Sequence, residues 1–390
     1  MDLASRVAKI KPFYVMKLLA RARELESEGR NIVHMEIGEP DFITPKPILD
    51  AAQNAIREGK VHYTPALGLT ELRQTISDYY LAQFQLNIPA NRIVITPGAS
   101  GALLLLFSLL VDTGQKVMMS DPGYPCNKHF AEFVNASALL VPVTDTTNYQ
   151  LTPELLVEYW QPDVSMVMLA SPSNPTGTVI SEQNMAGIAG VVASNGACLV
   201  VDEIYQSLYY GSRTKSVLSL SDESLANQSF VINSFSKYFN MTGWRLGWIV
   251  APDDKNIING LDKLAQNLFL AAPTIAQYAA LAAFKPETTD LLEQNRLEFQ
   301  LRRDYLFDAL SDIGFKITAK PEGAFYIYAD CSLFSLDSEK FCFDLLEEIG
   351  VAITPGIDFG DYKARLHVRF AYTTSMKNLK EGITRLKAYL

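Results

Sequence analysis

The sequence predicts an α/β protein: a large domain with a mostly parallel mixed sheet flanked by helices, plus a smaller α+β domain. Three observations predict this. A chain of 390 residues, 48% of them apolar, can bury a core large enough for two domains. Through its middle, short β-rich runs alternate with longer amphipathic stretches, the pattern of strand–helix–strand units. After about residue 285 the texture changes to a long charged helix followed by separate strands and helices.

Taken in order, Pro12–Glu28 reads as a helix and Ile32–Ile37 as a strand-like run. Both stand outside the alternating pattern and are expected to pack with the C-terminal part. Apolar, β-branched runs bounded by turn residues then place strands at Ile93–Thr96, Lys116–Ser120, Leu139–Val143, Val164–Leu169, Cys198–Asp202, Phe230–Asn233 and Trp248–Val250. Helical patterns fall between them at Gly101–Leu110, Asn127–Val134 and Ser181–Ser194, the last opened by a serine cap. Beyond them come a charged helix at Thr289–Ile313, a strand at Ala324–Tyr328, a helix at Ser338–Ile349, a strand at Leu366–Ala371 and a closing helix. The expected division is 46–285 for the large domain, with 1–45 and 286–390 forming the small one.

The net charge of −9 and the lack of a basic block argue against nucleic acid as a partner. The N-terminus scatters charges where a signal peptide needs an apolar stretch, and none is expected. The longest apolar run, Ala102–Val111 with Ser108 inside it, is too short to span a bilayer. Cys126, Cys198, Cys331 and Cys342 are widely spread and make no CxxC pair, which suits reduced thiols better than disulfides or a metal site. A soluble cytoplasmic protein is expected.

In open α/β sheets ligands bind beyond the carboxyl ends of the strands, so each strand exit is a place to look for chemistry. The first is followed by PGASGA and a helix: free N–H groups and the Ser100 hydroxyl suit a phosphate, although such a turn is commonly only a turn. DPGYP offers Tyr124 as a flat aromatic face, or as plain packing. SPSNPTG is turn chemistry that also presents the Asn174 amide. Asp202, at the exit of a buried strand, either caps the next helix or pairs with a cationic group. SFSKYFNMTGWRLG then combines Lys237, Ser234 and Ser236 with Arg245, eight residues beyond the lysine. A lysine whose pKa is lowered by burial or by neighbouring cations can form a Schiff base. Two hydroxyls and a guanidinium can clamp a phosphate.

SPSNPTG, DEIYQ and SFSKYFNMTGWRLGW, in this order, resemble the class I/II aminotransferases of pyridoxal phosphate (PLP) fold type I, the aspartate aminotransferase superfamily. The resemblance spans the chain, from HMEIGEPDF (34–42) and HYTPALGLTELR (62–73) to HVRFAY (367–372). It implies a PLP-dependent transaminase that moves an amino group between an L-amino acid and a 2-oxo acid by way of a Lys237 aldimine and pyridoxamine phosphate. Asp202 would pair with the pyridine nitrogen, Tyr205 and Asn174 would bond the ring's phenolic oxygen, and Tyr124 would stack on the ring. The phosphate would be held by the Ala99 and Ser100 amides, the Ser100, Ser234 and Ser236 hydroxyls, Arg245, and Tyr63 from a second subunit. The match therefore also implies a homodimer with shared active sites. Arg369 would grip the substrate α-carboxylate and Gly38 would line the entrance.

Two devices by which aspartate-specific members read a second carboxylate are absent: Leu264–Pro273 carries no cation, and Ser100 stands where a lysine would be. A neutral, apolar or aromatic donor is expected, with Ile10, Phe13, Tyr14, Ile37, Phe269 and Phe325 as candidate pocket residues. The same fold and cofactor residues serve carbon–sulfur β-lyases and aminocyclopropanecarboxylate synthases. A non-enzymatic PLP-binding regulator would carry an additional DNA-binding domain, and a dead-site relative would be expected to lose Lys237 or Asp202.

Overall fold

The computed structural model describes residues 3, 4 and 6–390. Its strands are β1 (Val33–His34), β2 (Ile93–Thr96), β3 (Lys116–Asp121), β4 (Ser137–Pro142), β5 (Val164–Ala170), β6 (Cys198–Asp202), β7 (Ser229–Ser234), β8 (Gly247–Val250), β9 (Tyr326–Asp330), β10 (Val351–Ala352), β11 (Thr354–Pro355) and β12 (His367–Ala371). β2 to β8 form a seven-stranded sheet in the order β2-β8-β7-β6-β5-β3-β4. Every pairing in it is parallel except those of β8, which runs antiparallel to both β2 and β7.

The period-2 pattern of these strands divides their side chains between two cores. Ile93, Ile95, Val167, Leu169, Val201, Val231 and Trp248 face one, with the helices Thr70–Phe84, Glu182–Ser194 and Pro286–Ile313. Val94, Met166, Met168, Val200, Ile232 and Ile249 face the other, covered by Gly98–Leu110, Pro125–Phe133 and Lys255–Leu268. With helices on both faces most of these strands are buried along nearly their whole length, the edge strand β4 being largely half-buried, which is why they read as continuous apolar runs. Among the described residues no helix is long and apolar enough to cross a membrane.

The rest of the chain forms two small sheets. β11, β12 and β9 pair antiparallel, and β1 pairs in parallel with β10. The N-terminal run thus joins the C-terminal part through β1, although the ladder covers only Val33–His34 of the expected Ile32–Ile37. Helices at Lys46–Arg57, Thr70–Phe84, Pro153–Tyr159, Lys255–Leu268 and Thr274–Ala280 were not expected from the sequence. Thr70–Phe84 buries little beyond the narrow stripe Leu72, Ile76 and Tyr80, too few residues to stand out as periodic, whereas Lys255–Leu268 carries a regular apolar stripe, Ile257, Ile258, Leu261, Leu264, Ala265 and Leu268, that makes the helix legible in hindsight. The strand expected at Ala324–Tyr328 begins instead at Tyr326, because Ala324 adopts a left-handed φ of 58° and breaks the extended run.

Gly247 occupies the tightest junction between the sheet and the first helix after β2. A Cβ there would stand 2.8 Å from the Asn233 carbonyl oxygen, 2.9 Å from Gly98 C and 3.0 Å from Ala99 N, all of them backbone atoms. Gly247→Ala is expected to cost about 1–3 kcal/mol of stability, read as a fall in the urea midpoint. An unchanged midpoint would show that this approach is not tight.

Candidate active site

The loops that follow five parallel strands open at one edge of the large sheet. β2 leads to Gly98–Ser100, β3 to Tyr124, β5 to Asn174, β6 to Asp202 and Tyr205, and β7 to Ser234, Ser236 and Lys237. Antiparallel β8 starts at the same edge, since Gly247 pairs with both Thr96 and Ser234, and this brings Arg245 there. One reversed strand thus adds a cation to a site otherwise built from strand exits.

The phosphate-binding candidates group around Gly98. Its φ of +70° suits glycine, and a Cβ on it would lie 2.7 Å from Arg245 Nη2, so the guanidinium covers its backbone. Ala99 and Ser100 are in the first turn of the helix Gly98–Leu110, where backbone N–H groups have no partner within the helix. Arg245 Nη1 donates to the Thr242 carbonyl at 3.0 Å, while Ser234 Oγ accepts the Ser236 N–H at 3.1 Å. Tyr63 stands apart: it is 83% exposed and shares no hydrogen bond or ring contact with this group in the chain.

Lys237 and Asp202 share the interior of the site. The Lys237 amine donates to the Gly38 carbonyl at 2.8 Å and lies 5.6 Å from the centre of the Phe325 ring. Burial, with Arg369 and Arg245 adding repulsion, lowers its pKa to about 8. Asp202 is buried, and its side chain accepts one hydrogen bond, from Ile204 N at 3.1 Å. Burial lifts its carboxyl to about 7, against the pull of that bond and of Lys237. Apart from the distant pull of Lys237, no cation among the described residues pairs with this carboxylate in contact, and burial favours one that would.

Arg369, in β12, is buried and held from several sides. Nη1 donates to Asn174 Oδ1 at 3.0 Å, and Nη2 donates to the Glu36 carbonyl and to Thr354 Oγ1. The rings of Tyr326 and Phe359 lie 4.2 and 4.7 Å from the guanidinium carbon. Nε is buried without a partner among the described residues. Tyr205 exchanges a 2.9 Å hydroxyl contact with Tyr326, whose oxygen would stand 1.8 Å from a Cβ on Gly38. Only a glycine leaves room for Tyr326 at position 38. Tyr124 meets Phe13 edge-on at 6.4 Å, while Phe325 is fully buried behind Tyr205.

Tyr326, Thr354, Phe359 and Glu36 have no site signal in the sequence. Each lies in an apolar run or a short turn and gains its place only through tertiary packing.

These residues fit PLP. The underpartnered Asp202 suits a protonated ring nitrogen, the turn at Gly98 with Arg245 suits a phosphate, and the free Nε of Arg369 suits a carboxylate. Lys237 is an amine that can lose its proton near neutral pH.

The chain is similar to known proteins over nearly its whole length. The family described as aminotransferase class I and II matches residues 30–386. A (5-formylfuran-3-yl)methyl phosphate transaminase of Methanocaldococcus jannaschii is 39% identical over 388 residues, covering 100% of this chain and 99% of that protein. A valine–pyruvate aminotransferase of Mycobacterium tuberculosis is 35% identical over 383 residues, covering 98% and 97%. The crystal structure of an aminotransferase from Mycobacterium tuberculosis superposes with a TM-score of 0.95 at 35% identity, covering 100% of this chain and 99% of that one.

Asp202 makes a prediction about the cofactor-free protein. Its folded pKa is raised from 3.8 to about 7, so the folded state holds a proton that the unfolded chain has released. Its contribution to stability is therefore greatest below 3.8 and falls as pH rises through about 7. Without cofactor, Asp202→Asn is expected to raise the urea midpoint at pH 7.5 and leave it unchanged at pH 4. With cofactor bound the order at pH 7.5 reverses. A cofactor-free variant less stable than wild type at pH 7.5 would refute this account of the site's electrostatics.

Proposed function

Because this chain belongs to the class I and II aminotransferase family, whose members use PLP, we propose that it transfers the amino group of a neutral, apolar or aromatic L-amino acid to a 2-oxo acid. The observation that carries the proposal is the convergence of Lys237, Asp202 and Arg369 in one buried site, with aromatic rings packed on Arg369.

Lys237 would hold the cofactor through its amine, with Asp202 at the ring nitrogen, Asn174 and Tyr205 at the ring oxygen and Tyr124 against the ring face. Ala99, Ser100, Ser234, Ser236 and Arg245 would hold the phosphate. When bound, PLP supplies an aldehyde that exchanges amines and a ring that draws electrons from the α-carbon. Arg369 binds the α-carboxylate through its unpartnered edge and so orients the Cα–H bond. The Lys237 amine, once free of the cofactor, would stand where it could take the proton from Cα and return it. Asp202 keeps its negative charge against a cationic ring nitrogen and thereby maintains the electron demand. Gly38 and Tyr326 close the wall beside the amine and limit water there.

The remaining expectations belong to the same proposal. β1 pairing with β10 supports a small domain made of 1–45 and 286–390 against 46–285. The exposure of Tyr63, apart from the phosphate-site residues of its own chain, supports a second copy to whose phosphate site it would contribute. The cytoplasm is the compartment we assign.

One observation favours a second reading of the donor. Lys128 makes no hydrogen bond or ion pair among the described residues and lines the cavity that also borders Tyr124, Asn174 and Phe359. It would suit a donor with an anionic group at its far end.

Spectroscopy tests the proposal directly. Adding amino acids one at a time to the PLP-loaded protein is expected to bleach the visible cofactor band with alanine, branched, methionine or aromatic donors, and a 2-oxo acid restores it. Lys237→Ala is expected to lower the rate by roughly a thousandfold or more. Turnover of aspartate well above that of alanine or phenylalanine would overturn the neutral-donor reading in favour of the second one. Pyruvate release from cystathionine without any oxo acid would replace transamination by the lyase reaction.

A further inference from the structure

The chain from Met35 to Gly38 carries four successive carbonyls, each with a partner from elsewhere. Met35 O accepts the Ala371 N–H, and Ile37 O accepts the Thr373 hydroxyl at 2.6 Å. Gly38 O accepts the Lys237 amine, and Glu36 O accepts both Arg369 Nη2 and the Thr354 hydroxyl. The Glu36 carbonyl is therefore one of the contacts that aim Arg369.

The side chain of the same residue has no part in the reaction as described. It is fully buried, its Oε1 stands 2.7 Å from His34 Nδ1, and Oε2 has no partner among the described residues. His34 Nε2 in turn lies 3.1 Å from Oε1 of Glu26, on the helix Tyr14–Ser27. Among the described residues His34 is the only ion-pair partner of the Glu36 carboxylate. The imidazole stays protonated there, its pKa pushed up to about 9 by the bond to Glu36 and then by Glu26, against the effect of burial.

We propose that His34 and Glu36 are positioning residues for Arg369: their side-chain pair fixes the Glu36 carbonyl that aims the guanidinium, and so sets the affinity for the substrate α-carboxylate. The inference rests on the reading of Arg369 as the carboxylate grip. A buried carboxylate stripped of its counter-charge either takes up a proton or draws its segment toward water. Either change moves the carbonyl of the same residue. The ladder from β1 to β10 and the Met35–Ala371 bond are independent of the imidazole, so the fold is kept while the aim is lost.

The test uses the PLP-loaded enzyme. His34→Ala is expected to raise KM for both the amino donor and the 2-oxo acid by about tenfold, with kcat within about twofold. Adding Glu36→Gln to that variant removes the stranded charge and is expected to recover about threefold or more of the loss. Bleaching of the cofactor band by an amine without a carboxylate should be unaffected by His34→Ala. Should that variant fail to fold, the same comparison is read on His34→Gln. Arg369→Ala separates the two levels: if it leaves KM unchanged, the reading of Arg369 is wrong. If it raises KM while the His34 variants do not, or if they slow the carboxylate-free amine equally, the positioning proposal is overturned.

Discussion

The structure depends on the strip of backbone from Met35 to Gly38. Its carbonyls receive Ala371, Arg369, Thr354, Thr373 and the Lys237 amine, so one extended segment contacts two cations of the site and two strands of the C-terminal part. Backbone carbonyls serve this purpose well: they are fixed in spacing by the chain and do not titrate. A carboxylate at these points would compete with the substrate for Arg369, whereas a carbonyl holds the guanidinium and leaves its charge available.

Around that strip the interior carries charges that burial alone would not tolerate. Lys237 near 8 and Asp202 near 7 are both displaced from their ordinary values, mainly by loss of water. Glu203, the next residue after Asp202, is pushed up to about 8 for the same reason and is tied to Val217 N at 2.8 Å. Shifts of this size at one edge of a sheet mark a site prepared for a ligand that brings its own charges. Under the proposed function, a cationic ring nitrogen, a phosphate and a carboxylate would answer Asp202, Arg245 and Arg369 in turn.

The α/β class and the exits of the large-sheet strands were legible in the sequence, because strands buried on both faces leave continuous apolar runs with turn residues after them. Ser234, Ser236, Lys237 and Arg245 were legible too, since they fall within one short segment. What could not be read are the contacts made across the chain. Arg369 and the carbonyl of Glu36 are 333 residues apart, and a carbonyl has no sequence signature. Arg369 itself was found by resemblance to a family; its own surroundings read as an ordinary strand. Tyr326 was visible as part of a strand, but its meeting with Tyr205, 121 residues away, depends on how the small sheet packs against the large one.

If Lys237 holds the cofactor as proposed, its bond to the Gly38 carbonyl is one that cofactor binding would end. A single amine cannot stay there and also engage the cofactor's aldehyde carbon, so occupancy of one partner comes at the expense of the other. Release of Gly38 takes one tether from the strip that also supports Arg369, while the other three carbonyls keep theirs. On that reading cofactor loading and the freedom of the N-terminal segment would be thermodynamically coupled, and by reciprocity whatever pins that segment would weaken the hold on the cofactor.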